Sequence, residues 1–322
     1  MKIDLITPQE IHKRLEQKNY PAQNAYLAMY SSWWGGVIKE PGQMMVPIDD
    51  HLVHRGDGVF EALKVVDGKI FLMEEHLRRL ESSAAQIALA LPHSLDEIAH
   101  ILKQTTRHAG VENTLLRLYI SRGPGAFTTN PYDSVGSQMY LVVTELKGPS
   151  EDKYEQGVKV GKSAIPPKES WLAQIKTCNY LPNVMMKKES VDRKLDFTVG
   201  FDSANFLTEG STENIVLVDQ HQNLIRPKLH QILKGTTMMR TFALAESLFP
   251  QMHIKAINEK DISEQDLISA KEVMMIGTTL DVLPVTEYEG KPIGNGKVGT
   301  VAKSLLKLLR EDMKTGPKAT PL

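Results

Sequence analysis

The chain has one cysteine, Cys178, among 322 residues, which rules out an intramolecular disulfide framework and suits a reducing compartment. It also lacks an excess of either charge. Its 38 basic and 39 acidic residues leave a formal charge of −1, which offers no general attraction to nucleic acid or to an anionic membrane. A small anionic ligand is still admissible. No stretch approaches the roughly 20 apolar residues of a membrane span, and the opening MKIDLITPQE has no apolar run of signal-peptide length. These absences predict a cytoplasmic protein that binds neither membrane nor nucleic acid. Internal repeats and low-complexity segments are missing too.

What is present is ordinary for a globular protein: 41% hydrophobic and 24% charged residues, in a chain long enough for two domains with their own cores. Thr7-Pro8-Gln9-Glu10 opens a short amphipathic helix through about Gln17, read as an appendage within residues 1–24. Residues 62–66 and 69–73 flank Asp67-Gly68, a pair that readily closes a tight hairpin. From Glu74 the apolar period turns helical through Leu77, Leu80, Ala84, Ile87 and Leu91. Ser94 and Glu97 form a capping box for a second helix that Gly110 closes. Strands are expected at 114–121 and 138–145, completing a small α/β domain over 25–146. The polar stretch 147–156 reads as a linker. Residues 157–322 form a larger domain, with strands near 158–163, 198–202 and 214–219 and helices at 181–194, 236–249, 263–270 and 298–313. The fold class is α+β, with a mixed and barrel-like second domain.

Lys176 lies in Gln174-Ile175-Lys176-Thr177-Cys178-Asn179-Tyr180, and Glu209 follows 33 residues later in Thr208-Glu209-Gly210-Ser211-Thr212-Glu213-Asn214. An isolated lysine and an isolated glutamate in small polar and apolar company suit pyridoxal phosphate chemistry. The amine holds the aldehyde as a Schiff base, and the carboxylate keeps the pyridine nitrogen protonated. The pair alone proves little, since most lysines are surface residues. Thr236 and Thr237 open a helix after Gly235, and Thr278 and Thr279 follow Gly277. Hydroxyls and helix-start amides are natural partners for a phosphate, although the same threonines would serve as plain caps.

Three other patterns carry less. Gly294 to Gly299 has alternating glycines, but no βαβ unit follows, so no nicotinamide or flavin site is expected. His51 and His54 lack the carboxylate or cysteine cluster of a metal site. The pairs Met185-Met186, Met238-Met239 and Met274-Met275 read as core filler.

Six strings in order, DDHLVHRGDGVFE (49–61), FLMEEHLRRLESS (71–83), the two above, ILKGTTMMR (232–240) and GTTLDVLPV (277–285), resemble the fold-type IV, class IV pyridoxal phosphate enzymes. That family includes branched-chain and D-amino acid aminotransferases and aminodeoxychorismate lyases, and its fold pairs a small α/β domain with a larger pseudo-barrel. The resemblance implies pyridoxal 5'-phosphate as cofactor, Lys176 as the Schiff-base lysine and Glu209 at the pyridine nitrogen. It further implies Tyr180 at the ring hydroxyl, Arg79 at the phosphate with Thr236, Thr237, Thr278 and Thr279, and a homodimer. Tyr180 is spaced one residue differently from the family pattern.

The function implied is a ping-pong aminotransferase that moves an amino group from a D-amino or branched-chain amino acid to a 2-oxo acid such as 2-oxoglutarate or pyruvate, through a lysine aldimine. Phe60, Tyr119 and Arg122 are the candidate substrate contacts. The arginine and histidine that hold the substrate carboxylate in better-known bacterial D-amino acid enzymes are absent from the loop after the third strand, where Arg122 is a substitute anchor or a structural residue. The plant-type D-amino acid enzymes are the nearest in motifs. The alternatives are aminodeoxychorismate lyase, yielding 4-aminobenzoate and pyruvate, and a cofactor-binding protein without turnover. Glu61 in GVFE favours the aminotransferase branch.

Overall fold

Asp67 and Gly68 take positive φ angles of 48° and 70° and close a tight antiparallel hairpin between strands Gly58–Val66 and Lys69–Phe71. In this computed structural model, residues 1–17, 20–168, 170–247 and 254–322 are described. They group into two units. One comprises Met1–Leu146, Thr177–Asn179 and Thr320–Leu322, and the other Lys147–Lys176 and Tyr180–Ala319.

The first unit is built on strands β1 (Tyr26–Ser31), β2 (Gly36–Ile38), β3 (Gly58–Val66), β4 (Lys69–Phe71), β5 (Thr114–Ser121) and β6 (Gln138–Glu145), with helices α1 (Pro8–Leu15), α2 (His51–Arg55), α3 (Met73–Gln86) and α4 (Leu95–Ala109). The sheet order is β4-β3-β5-β6-β1-β2, antiparallel throughout, with a short C-terminal strand, Ala319–Pro321, beside β4. Strict alternation sorts its faces. Val59, Leu63, Val65, Leu116, Leu118 and Ile120 are buried on one face, where α3 packs on β3 and α4 on β1 and β6. Phe60, Ala62, Arg117 and Tyr119 point the other way and are half-buried.

The α1 capping box between Thr7 and Glu10 forms as expected, yet the helix stops at Leu15 and buries none of its residues. The helix expected to run from Glu74 past Ile87 to Leu91 ends at Gln86. Ala88 takes φ 49° and Leu89 N–H turns back to the Ala84 carbonyl, so the apolar period outlasts the helix. The α4 capping box and its Gly110 close follow the sequence pattern. Strands β1 and β2 are not among the expected elements, being short and without a turn signal of Asp-Gly strength.

The second unit contains β7 (Val158–Lys162), β8 (Phe197–Phe201), β9 (Leu207–Gly210), β10 (Asn214–Val218), β11 (Asn223–Pro227), β12 (Ala256–Lys260), β13 (Glu272–Gly277), β14 (Asp281–Tyr288) and β15 (Lys291–Pro292). Its helices are α5 (Glu151–Gln156), α6 (Ser170–Ala173), α7 (Leu181–Asp192), α8 (Thr236–Ser247), α9 (Glu264–Ile268) and α10 (Thr300–Thr315). The strand order β12-β11-β10-β13-β14-β7-β8-β9 mixes parallel and antiparallel pairs. The sheet curls: β9 lies at its far edge, yet Gly210 N–H bonds the Glu213 carbonyl at the mouth of β10. Val160, Val199, Ile215, Leu217, Val273, Met275 and Leu283 fill the hollow. Mixed helix and sheet, with a half-barrel, is thus the observed architecture.

Much of the segment read as a linker is helical, because Ser150 precedes a run of good helix formers that α5 uses to bury Tyr154. Phe249, where the sequence ends the eighth helix, lies outside the described residues. Met186, Met238, Met274 and Met275 are buried as core filler, whereas Met185 is exposed. The glycine-rich stretch 294–299 ends at the cap of α10, whose first amides, Val301 and Ala302, donate to the Glu272 carboxylate. Its anion position is filled from within the chain. Among the described residues, no helix is long and apolar enough to cross a membrane.

Candidate active site

Within the second unit, one hydrogen-bonded path links four of the motifs singled out from sequence. Lys176 follows α6 and a turn in which Ile175 N–H bonds the Leu172 carbonyl, with Ala173 and Ile175 buried. Its neighbour Gln174 donates Nε2 to the His230 carbonyl at 2.9 Å, which ties the lysine segment to the 229–235 loop. From the other side, Leu233 N–H donates to Glu209 Oε2 at 3.1 Å, and Asn214 Nδ2 donates to the Leu233 carbonyl at 3.0 Å. Gly235 closes the loop. A side chain there would put its first carbon 1.8 Å from Asn214 Oδ1, so only glycine permits the approach. α8 then starts at Thr236, and buried Thr237 brings its Oγ1 to 3.5 Å from Thr278 Oγ1 in the β13–β14 turn. Thr236 and Thr279 flank that meeting point and are half-buried.

The electrostatics at this end of the unit are those of an acid held under stress. Glu209 retains a partial opening to solvent, but the crowding of protein around its carboxyl pushes its pKa up to about 7. The Leu233 amide and the Lys176 and Lys168 ammonium groups work against that rise, while Glu213 adds to it. Glu213 is itself buried and raised by burial, although Thr212 N–H and Oγ1 and Ser211 Oγ hydrogen-bond its carboxyl. Tyr180, at the start of α7, has the Lys168 ammonium 4.4 Å from its ring centre. Asn183 donates Nδ2 to the Ser211 carbonyl at 2.5 Å, and its Oδ1 is buried with no hydrogen-bond partner among the described residues, as is Thr208 Oγ1. Asn183, Glu213 and Asn214 were not singled out by sequence reasoning. For Glu213 and Asn214 the signal was the unbroken run of polar and glycine residues from Thr208 to Asn214, which only burial distinguishes from a surface turn; Asn183, in α7, gave none.

The remaining candidates belong to the first unit. Arg79 forks onto Glu61, with Nε to Oε1 and Nη2 to Oε2 both 2.7 Å, and His76 Nδ1 lies 2.7 Å from the same Oε2. Glu61 is fully buried. Burial alone would raise its pKa, but Arg79 and His76 outweigh it and hold the carboxyl at about 2. Phe60 and Tyr119 face one another across β3 and β5 and stack at 5.9 Å. Arg122 forms a bidentate pair with Asp57, at 3.0 and 2.9 Å, and donates to the Ala88 and Ile87 carbonyls. Thr177, Cys178 and Asn179, next after Lys176 in the chain, are also held in this unit: Thr177 bridges Val59, Cys178 N–H bonds the Gly58 carbonyl, and Asn179 Nδ2 bonds the Arg55 carbonyl.

The donor set of the second unit fits an aromatic phosphate ester with a basic ring nitrogen. It offers two amines, Lys176 and Lys168, two carboxyls under burial stress, Glu209 and Glu213, hydroxyls clustered at a helix start whose amides and dipole favour an anion, and unsatisfied buried polar atoms nearby. A family model described as "Amino-transferase class IV" matches residues 58–288. The chain belongs to the class IV aminotransferase family. It is 34% identical over 316 residues to a protein of Arabidopsis thaliana named "D-amino-acid transaminase, chloroplastic", covering 98% of this chain and 83% of the relative. Among solved structures, a T.th. branched-chain amino acid aminotransferase with pyridoxamine 5'-phosphate superposes with a TM-score of 0.84, at 22% identity over 90% of this chain and 95% of that one. A 4-amino-4-deoxychorismate lyase from Pseudomonas aeruginosa reaches 0.73, at 23% identity over 84% and 96%. These two structures establish the shared fold. The chain is an aminotransferase of class IV, a pyridoxal phosphate-dependent family.

Proposed function

We propose that this aminotransferase binds pyridoxal 5'-phosphate in its second unit and transfers the amino group of a D-amino acid to a 2-oxo acid such as pyruvate or 2-oxoglutarate. The observation that carries the cofactor reading is the electrostatic pairing of Lys176 with a stressed, crowded Glu209, on the same hydrogen-bonded path that ends where Thr237 meets Thr278 at the start of α8. When bound, the cofactor supplies an aldehyde that takes the amino group and a ring that accepts electrons. Lys176 Nζ is the attachment point at rest and, once free, the base that moves the proton of the substrate α-carbon. Glu209 would hold the proton on the ring nitrogen, and that cation would settle the carboxyl as an anion, reversing the rise that burial imposes. Thr236, Thr237, Thr278 and Thr279 would hold the phosphate with the first amides of α8. Tyr180 would meet the ring hydroxyl.

The D-amino acid preference is supported by the 34% identity to the plant D-amino-acid transaminase over nearly the whole chain. A homodimer in the cytoplasm completes the reading. Its support is the row of exposed apolar residues on α7, Leu181, Val184, Met185 and Val191, at spacings that share one helix face.

The test is a single-turnover screen of L- and D-amino acids on purified protein, following the visible absorption of the lysine-bound cofactor. Bleaching by D-amino acids and loss of the band in Lys176→Ala are expected. A protein that stays colourless when cofactor is added refutes the cofactor assignment. Release of 4-aminobenzoate and pyruvate from aminodeoxychorismate without an oxo acid would replace transamination by lyase chemistry.

A further inference from the structure

Glu209 and Glu213 stand four residues apart in the second unit, and only Glu209 has a task in the chemistry above. A second carboxylate taken out of water is costly. β9 ends at Gly210, where the chain turns back so that Gly210 N–H bonds the Glu213 carbonyl at 2.8 Å. The Glu213 side chain folds over the same glycine. A side chain at 210 would put its first carbon 2.6 Å from Glu213 Oε2, so this carboxyl rests against the backbone of the residue next to Glu209. Alternation along β9 turns that side of Gly210 away from the face that carries Glu209. The two acids therefore act on one another through charge across the backbone, not through a shared proton.

Their donors differ. Glu213, 5% exposed, accepts from Thr212 N–H at 3.0 Å, from Thr212 Oγ1 and from Ser211 Oγ at 3.4 Å, and the Lys187 ammonium on α7 favours its charged form. Asn183, also on α7, holds the turn that carries these donors by its bond to the Ser211 carbonyl. Glu209 accepts, among the described residues, one hydrogen bond, from Leu233 N–H, with Lys168 and Lys176 as the cations near it. Burial opposes the charge of both acids. Where two acids compete for one charge, it settles where the donors are. Glu213 is the anion of the pair, and Glu209 keeps its proton.

We propose that Glu213 is a positioning residue of this site: fixed as an anion behind Gly210, it makes Glu209, or a ring nitrogen set against Glu209, hold its proton to higher pH. The role rests on the pyridoxal phosphate reading and acts through Glu209, not on the substrate. A negative charge behind the pair makes loss of its proton to solvent harder. The electron-accepting form of the ring is thereby kept over a wider pH range.

The test follows the infrared C=O stretch of protonated carboxyls by difference spectra of cofactor-free protein between about pH 5 and about pH 9, in wild type, Glu209→Gln, Glu213→Gln and Glu213→Asp. Wild type is expected to lose such a band at about pH 7, and Glu209→Gln to lack it. Glu213→Gln keeps the shape of the side chain without its charge, and should lower the Glu209 midpoint by about one pH unit. Glu213→Asp restores the charge and recovers part of that shift. In loaded enzyme the alkaline limb of the kcat/KM profile should move to lower pH in Glu213→Gln by a similar amount. A Glu209 midpoint that Glu213→Gln leaves unmoved overturns the proposal, whatever happens to thermal stability. A band that survives Glu209→Gln overturns it too, because the proton is then on Glu213, and this comparison decides even if Glu213→Gln does not fold. A wild type that takes up no cofactor defeats the parent reading, and the infrared midpoints still decide whether the two acids are coupled in this way.

Discussion

At the scale of single residues, two carboxyls sit in opposite electrostatic situations and should titrate in opposite directions. Glu209 is raised to about 7 by burial, so in cofactor-free protein it keeps a proton that the unfolded chain has already lost above about pH 4.5. Fewer protons bound when unfolded means that stability falls as pH rises from about 4.5 through 7. Glu209→Gln should flatten that part of the profile in chemical denaturation of the cofactor-free protein, and lower kcat of the loaded enzyme on the order of 10²-fold. Glu61 runs the other way. Held at about 2 by Arg79 and His76, it contributes stability that is fully present above about pH 4.5 and is lost as pH falls through 2. Glu61→Ala leaves half-buried Arg79 and buried His76 without their carboxylate and should cost about 3–5 kcal/mol by urea unfolding. Lys176 and Glu209 were singled out in the sequence by the strings around them, not by the pair itself. The Glu61–Arg79 fork was not, because the two are 18 residues apart on different elements and nothing in local pattern couples them.

Among the elements, helix starts were read most easily, since a cap is a local arrangement of three or four residues. Ser94→Ala removes one such cap from α4 and should lower stability by about 1 kcal/mol in thermal unfolding, with turnover unaffected. α8 is a start of another kind. No cap motif marks it, and its position depends on Gly235 lying against Asn214 and on the Leu233 bonds to Glu209 and Asn214. Gly235→Ala should force that loop apart and weaken retention of the phosphorylated cofactor at least tenfold in equilibrium dialysis, while affinity for unphosphorylated pyridoxal changes little. Helix ends were harder. The apolar period past Gln86 continues into a left-handed turn at Ala88, so Ile87 and Leu91 keep a helical spacing without helical backbone.

For the whole molecule, the near-neutral charge gives little repulsion between copies, and the exposed face of α7 sets Leu181, Val184, Met185 and Val191 around the Lys188–Asp192 ion pair. Leu181, Val184 and Val191 are each more than half exposed, a cost in water that self-association would remove. Sedimentation velocity should show a dimer for wild type and a monomer for Val184→Asp combined with Val191→Asp. A monomeric wild type at micromolar concentration would refute the assembly.

The order of motifs along the chain was enough to point to the family, because each motif depends on residue types at short spacing. Alternation placed β5 and β6 to the residue, since a strand half covered by helices writes its burial into its own sequence. Folding alone decided which arginines are spent on internal carboxylates. Arg79, Arg117 and Arg122 look alike in sequence, and only the register of β3 against β5 and the packing around Glu61 and Asp57 gives them different partners. Ion pairing is a matter of distance in space, and distance between residues far apart in the chain exists only once the sheets have formed.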